Sequence, residues 1–225
     1  MSSTTIVHLL RHGEVHNPDG ILYGRATGYR LSALGEQMAQ RVADAVGDRD
    51  IVRVTASPLE RAQQTARPLA EARGVEVTTD VRVIESENVF AGRPFSLSDG
   101  VLRRPSTWRH LWNPFRPSWG EPYKQVAARM MAAVGEAREA AEGHEAVLVS
   151  HQLPIWTTRL FVEERSYLHN PRKRQCTLCS LTSLHFTGDR ITTVTYSEPA
   201  GDLIPVGNRS DPFSAGGAPE QAPPA

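Results

Sequence analysis

The stretch Ile6-Val7-His8-Leu9-Leu10-Arg11-His12-Gly13-Glu14 decides how the rest of the chain is read. Residues 6 to 10 form a short apolar run with the character of a buried strand. Gly13 stops that strand and lets backbone come close to a ligand. Arg11 and His12 therefore stand where a strand empties into a loop, the edge of an open α/β sheet at which ligands bind. Arg11 offers a planar fork of donors, and His12 a ring nitrogen that can attack or coordinate.

Two further segments repeat this placement. Ile51 to Ala56 reads as a strand and runs into Ser57-Pro58-Leu59-Glu60. That tetrapeptide has the features of a capping box with proline at the first helical position. Arg61 then falls in the first turn of a helix, where outward amides and the helix dipole favour an anion. Ala146 to Ser150 is a continuous apolar strand of the kind buried on both faces, and His151 stands at its carboxyl end. Two guanidiniums and two imidazoles converging on one crevice would bind a dianion such as a phosphoryl group. With one imidazole as nucleophile, the others neutralise charge as the group transfers. The leaving oxygen needs a proton, which Glu85 or Glu87 could supply.

The remaining chain fills in around these points. Residues 15 to 31 read as a loop punctuated by Pro18, Gly20, Gly24 and Gly28. Ser32 caps a helix whose apolar residues recur through Val46, with Gly47 ending it. The helix carrying Arg61 should run to Arg73-Gly74, shortened or kinked by Pro68. Residues 75 to 84, with Val75, Val77, Val81, Val83 and Ile84, read as a strand or extended segment. Residues 92 to 120 carry three tryptophans, four prolines and five arginines, and read as a lid-like insert with a short helix near Trp108 to Trp112. Helices are expected over Glu121 to Glu142 and Pro154 to Val162, and a hairpin over Leu181 to Tyr196 turning at Gly188-Asp189. Arg172-Lys173-Arg174 reads as a solvated turn. Residues 207 to 225, rich in Gly, Pro and Ala, read as a disordered tail after a single domain over 1 to 206.

Composition limits the function classes. The 225 residues are 40% hydrophobic and 22% charged, ordinary for a soluble domain with a core. Lys plus Arg and Asp plus Glu both number 25, so no global basic field recruits nucleic acid. No leader and no long apolar span is recognisable, so a cytoplasmic protein without membrane contact is expected. Cys176 and Cys179 form a C-x-x-C without a redox-fold context and read as reduced core cysteines. His8, His12 and His16 are four apart, but the strand and Gly13 break any metal-binding stripe.

Arg11-His12-Gly13-Glu14, the run Ser57 to Ala66 (SPLERAQQTA) and Val149-Ser150-His151 together resemble the three signatures of the histidine phosphatase superfamily, the phosphoglycerate-mutase-like enzymes. The resemblance covers residues 5 to about 197, loosely over 96 to 120. It implies an α/β fold: a mixed, mostly parallel sheet flanked by helices on both faces. It implies His12 as the nucleophile that becomes phosphohistidine, with Arg11, Arg61 and His151 holding phosphoryl oxygens. Val83-Ile84-Glu85 matches the family's apolar-x-Glu pattern and makes Glu85 the general acid, although Glu87 fits the spacing to Phe90-Ala91-Gly92 about as well. Asn17, Gly24 and Gln152 are carried over as substrate-binding positions. No metal and no cofactor are implied. Departures lie at the rim: Asn17 comes one place early, the Gly24 to Ser32 loop is one residue long and lacks an Asp, Gln152 replaces a glycine, and Pro122 stands where Gly-Glu-Ser is usual.

The expected activity is therefore a metal-independent phosphatase acting on a small phosphorylated metabolite, as monomer or homodimer. The alternatives are a cofactor-dependent phosphoglycerate mutase and a non-catalytic binder of phosphate ligands.

Overall fold

The computed structural model describes residues 4–88, 91–92, 120–170 and 174–204. In chain order these build β1 (Thr4–Arg11), α1 (Ala33–Ala45), β2 (Ile51–Ala56), α2 (Glu60–Arg73), β3 (Val77–Thr79), α3 (Tyr123–Ala140), β4 (Glu145–Ser150), α4 (Gln152–Val162), β5 (Leu181–Thr187) and β6 (Arg190–Ser197). The strands form one sheet in the order β3-β2-β4-β1-β5-β6. β1 lies parallel to β4, and β2 parallel to both β3 and β4. β5 runs antiparallel to β1 and to β6. The sheet is thus mixed and mostly parallel.

Strand alternation explains why apolar residues stand at both odd and even positions of β1 between Ile6 and Leu10. Leu10 faces one way and packs with Val54, Val147 and Val149 beneath Met38 and Val42 of α1 and Ala66 and Leu69 of α2. Val7 and Leu9 face the other way and pack with Leu148 and Leu184 beneath Val126, Met130 and Val134 of α3 and Ile155 of α4. A strand covered on both faces has no polar side to show. Each such buried Leu or Val stabilises by about 1.5–3 kcal/mol relative to exposure.

Ser32 caps α1 as its sequence position requires. Its Oγ accepts from the Gly35 amide at 3.0 Å and donates to Glu14 Oε2 at 2.6 Å. Glycine at 35 is a matter of space: a Cβ there would lie 2.0 Å from the Glu14 carbonyl oxygen. The His12 loop therefore rests directly on the first turn of α1.

Several sequence expectations need correction. Ser57 does not cap α2, which begins at Glu60 with Leu59 as its N-cap and no side-chain capping bond. Ser57 Oγ instead faces a histidine from β4, described below. Pro68 lies inside α2 without ending it, because Ala62, Ala66, Leu69 and Ala70 on both sides of it are buried. That packing outweighs the lost backbone bond. Residues 75 to 84 contain only the short β3. Asp80 then accepts from the Arg82 amide at 2.7 Å and turns the chain into a single 3₁₀ turn, Val81–Val83. Cys176 and Cys179 directly precede β5, as their sequence position implies. Both are free and buried, and burial pushes their thiols up to about 11 and about 12. The insert between Gly92 and Gly120, its short helix and the tail from 207 lie outside the described residues. Among the described residues no helix is long and apolar enough to cross a membrane.

Candidate active site

β1, β4 and β2 are neighbours and parallel, so their carboxyl ends release three residues side by side: His12, His151 and Ser57. The backbone carries the sheet ladder one step past the strands. His12 N donates to Ser150 O at 3.1 Å and Ser57 N to Val149 O at 3.0 Å. The His12 and His151 rings lie 5.1 Å apart, centroid to centroid. Arg11, His12, Arg61 and His151 are all buried.

His12 is held in one tautomer. Its Nδ1 lies 2.7 Å from the Gly13 carbonyl oxygen, which can only accept, so Nδ1 carries the proton. Burial, followed by the charges of Arg61 and Arg11, holds the imidazole well below its usual pKa of 6.5. The ring is neutral at pH 7, and Nε2 keeps its lone pair. No described residue hydrogen-bonds Nε2. Thr65 fixes the loop behind it: its Oγ1 accepts from Gly13 N at 3.1 Å and donates to Arg61 O at 2.7 Å.

Arg61 enters from the first turn of α2. Its guanidinium lies 4.5 Å over the Tyr23 ring, and one terminal nitrogen donates to Gly24 O at 2.6 Å. Its Nε and other terminal nitrogen are buried without a partner among the described residues. Arg11 donates from a terminal nitrogen to Cys176 O at 2.8 Å. His151 is paired through Nε2 with Ser57 Oγ at 2.8 Å, while its Nδ1 is buried without a partner. Ser57 Oγ also accepts from Leu59 N at 3.4 Å, so one hydroxyl ties the start of the α2 loop to the His151 ring. Burial and then Arg61 hold His151 well below 6.5. Buried donors without partners are costly, about 1–3 kcal/mol each, and an anion would satisfy them together.

The two glutamates separate. Glu85 is half-buried beside His12 and Arg61, and desolvation raises its carboxyl above the usual 4.5 against the pull of the Ser86 amide, Arg61 and Arg11. Glu87 is turned outward, its side chain 69% exposed and paired with Arg25 at 2.8 Å. Two contacts carry Glu85 to the cup: Ser150 Oγ donates to Val83 O at 2.7 Å, and Arg25 Nε donates to Glu85 O at 2.6 Å.

The three rim positions differ. Gly24 adopts φ +48°, a conformation that favours glycine, and gives its carbonyl to Arg61. Asn17 is buried and closes the 17–21 loop through Ile21 N and Ile21 O at 3.0 and 2.9 Å. Gln152 Nε2 reaches Cys176 O at 3.4 Å, the carbonyl that Arg11 also uses. His8 lies away from the cup, buried between Ser183 Oγ at 2.7 Å and Glu145 at 2.8 Å. Among the described residues no group of three or more His, Cys, Asp or Glu is arranged to hold a metal ion.

Sequence reading overlooked several contributors. Ser57 and Thr65 lay inside the SPLERAQQTA run but carried no role of their own there. Arg25 and Tyr23 sit in a loop with no periodicity to flag them. Arg174, expected in a solvated turn, instead donates to His169 Nε2 at 2.8 Å and is half-buried.

The family model of the histidine phosphatase superfamily, branch 1, matches residues 7–199. The chain belongs to that superfamily. Among its relatives, "Uncharacterized protein Rv0525" of Mycobacterium tuberculosis (strain ATCC 25618 / H37Rv) is 56% identical over 200 residues, 89% of this chain and 99% of that one. A "Probable phosphoglycerate mutase GpmB" of Yersinia enterocolitica is 33% identical over 155 residues, 66% of this chain and 70% of that one. In fold the chain is similar to Bacillus stearothermophilus YhfR, with TM-score 0.72 at 20% identity over 89% of this chain and 100% of that one. It is also similar to the mycobacterial glucosyl-3-phosphoglycerate phosphatase Rv2419c, with TM-score 0.66 at 23% identity over 86% and 96% of the two chains. Members of this superfamily are phosphatases or mutases.

Proposed function

We propose that this histidine phosphatase superfamily member is a phosphomonoesterase that works through phospho-His12. The observation that carries the reading is the neutral His12 ring, pinned at Nδ1, with Nε2 open near Arg61, two of whose buried donors lack partners among the described residues. In the first step Nε2 attacks phosphorus and the ester P–O bond breaks. Arg11, Arg61 and His151 hold the phosphoryl oxygens as charge develops. Protonated Glu85 gives its proton to the leaving oxygen, and desolvation supports that role by favouring its neutral form. In the second step Glu85 carboxylate takes a proton from water, the water oxygen bonds to phosphorus, and the P–N bond breaks. Inorganic phosphate leaves and neutral His12 is restored.

The test is rapid quench with a ³²P-labelled alkyl phosphomonoester. Wild-type protein should trap an acid-labile, base-stable phosphoprotein that His12→Ala does not form. Turnover by His12→Ala at the wild-type rate would refute the reading.

A second reading, phosphoglycerate mutase, is favoured by the name carried by the Yersinia relative. It would transfer the group to a second hydroxyl rather than to water. Assaying 3-phosphoglycerate with and without 2,3-bisphosphoglycerate separates the two by product: inorganic phosphate or 2-phosphoglycerate.

A further inference from the structure

Arg174 is a half-buried guanidinium that the proposed chemistry does not use. Its Nε donates to His169 Nε2 at 2.8 Å, and a terminal nitrogen donates to Gln152 Oε1 at 3.4 Å. No carboxylate pairs with it among the described residues. The contrast with its neighbours is informative. Arg25, Arg129 and Arg159, also partly buried, each hold a glutamate at 2.8–3.0 Å. A cation withdrawn from water without a counter-ion is unfavourable unless an anion arrives.

The side chain is aimed rather than adrift. His169 Nδ1 lies 2.7 Å from Tyr167 O, so that nitrogen carries the proton and Nε2 must accept. The His169 ring is in turn held edge-on by Trp156 at 5.8 Å and lies 6.3 Å from Tyr123. Arg174 lies within electrostatic reach of Tyr123, Glu85 and Arg11. Gln152 links the two places: its Nε2 shares the Cys176 carbonyl with Arg11, and its Oε1 accepts from Arg174. One carboxamide therefore spans from the wall of the phosphoryl cup to the lone guanidinium.

We infer that Arg174, positioned by His169 and Gln152, forms a second anion subsite that selects phosphomonoesters bearing a further carboxylate or phosphate close to the scissile group. The inference rests on the phosphomonoesterase reading and names its substrate class. A guanidinium fork matches either oxyanion in a bidentate fashion.

The test uses two matched pairs. 3-Phosphoglycerate and glycerol 3-phosphate share a three-carbon phosphomonoester and differ by a carboxylate against a hydroxymethyl group. Fructose 1,6-bisphosphate and fructose 6-phosphate differ by the second phosphate. Wild-type kcat/KM should favour the doubly anionic member of at least one pair by about 10- to 100-fold, the range for a hydrogen bond to a charged group. The pair that responds identifies the second anion. In Arg174→Gln the ratio should fall to within about threefold of unity, and Arg174→Lys should recover part of it. Thermal unfolding of each variant checks that it folds. The same ratio is read as dissociation constants in His12→Ala, where no turnover is expected. A ratio unchanged in folded Arg174→Gln, or absent in wild type for both pairs, overturns the subsite alone. Turnover that survives His12→Ala overturns the catalytic reading and leaves the subsite to be judged on the binding ratio.

Discussion

Replacing Arg61 by methionine should abolish activity while leaving stability nearly unchanged, and the two effects can be worked out separately. The substitution removes the bond to Gly24 O, about 1.5–3 kcal/mol for a charged donor, and the stacking on Tyr23, about 0.5–2 kcal/mol. It also removes two buried donors without partners, Nε and one terminal nitrogen, each costing about 1–3 kcal/mol. These contributions oppose one another and nearly cancel. We expect unfolding free energy within about 2 kcal/mol of wild type, roughly 4–8 °C in Tm at this chain length. Activity has no such compensation. Two charge-assisted bonds to the transferring oxygens amount to about 3–6 kcal/mol, roughly 10²- to 10⁴-fold in kcat/KM. Scanning calorimetry with and without vanadate links the two. At a hundredfold excess over its dissociation constant a ligand stabilises wild type by about 2.7 kcal/mol, and Arg61→Met should show almost none of that rise. A variant destabilised by more than about 4 kcal/mol would mean that Arg61 is a structural keystone. One retaining more than a tenth of wild-type kcat/KM would mean that its unpartnered donors do not face the substrate.

Glu85→Gln should slow release of an alkyl alcohol by about 10²- to 10⁴-fold. With p-nitrophenyl phosphate, whose leaving group needs no acid, it should give one rapid equivalent of nitrophenol and then slow turnover. Glu87→Gln, at an exposed position, should behave as wild type in both assays, and equal effects of the two substitutions would contradict the assignment. Stability should fall as pH drops below 6.5, because His12 and His151 are held neutral in the folded chain while the unfolded chain takes up their protons. Each imidazole contributes about 1.36 kcal/mol per pH unit in that window, so urea unfolding of His151→Gln should lose about one proton of slope just below pH 6.5. An unchanged slope would mean that His151 is protonated in the fold. Gly35→Ala would put a Cβ 2.0 Å from the Glu14 carbonyl oxygen, and should cost about 3 kcal/mol in thermal unfolding and displace the His12 loop enough to depress activity. Wild-type Tm in that variant would show the contact to be yielding.

The parts of this molecule legible in its sequence are those where local pattern and tertiary need agree. Ile6 to Leu10 and Ala146 to Val149 look buried because both faces of those strands are covered, and Ser32 looks like a cap because it is one. The failures occur where a local rule and a distant partner compete for the same atom. Ser57 satisfies every local criterion for capping α2, yet its hydroxyl faces His151 Nε2, 94 residues away in the chain, and the helix starts later in consequence. A cap is worth about 1 kcal/mol and can be forgone when the same hydroxyl anchors a buried imidazole. Val81 and Val83 suggest a strand, but Asp80 turns the chain early, and that turn is what brings Glu85 inward while Glu87 faces solvent. Arg174 is the extreme case. It sits where no periodicity exists to read, and its position is set by His169, whose tautomer the Tyr167 carbonyl fixes, and by Gln152. The motifs therefore report what the superfamily shares, while contacts such as those of Arg174 join segments that carry no motif at all.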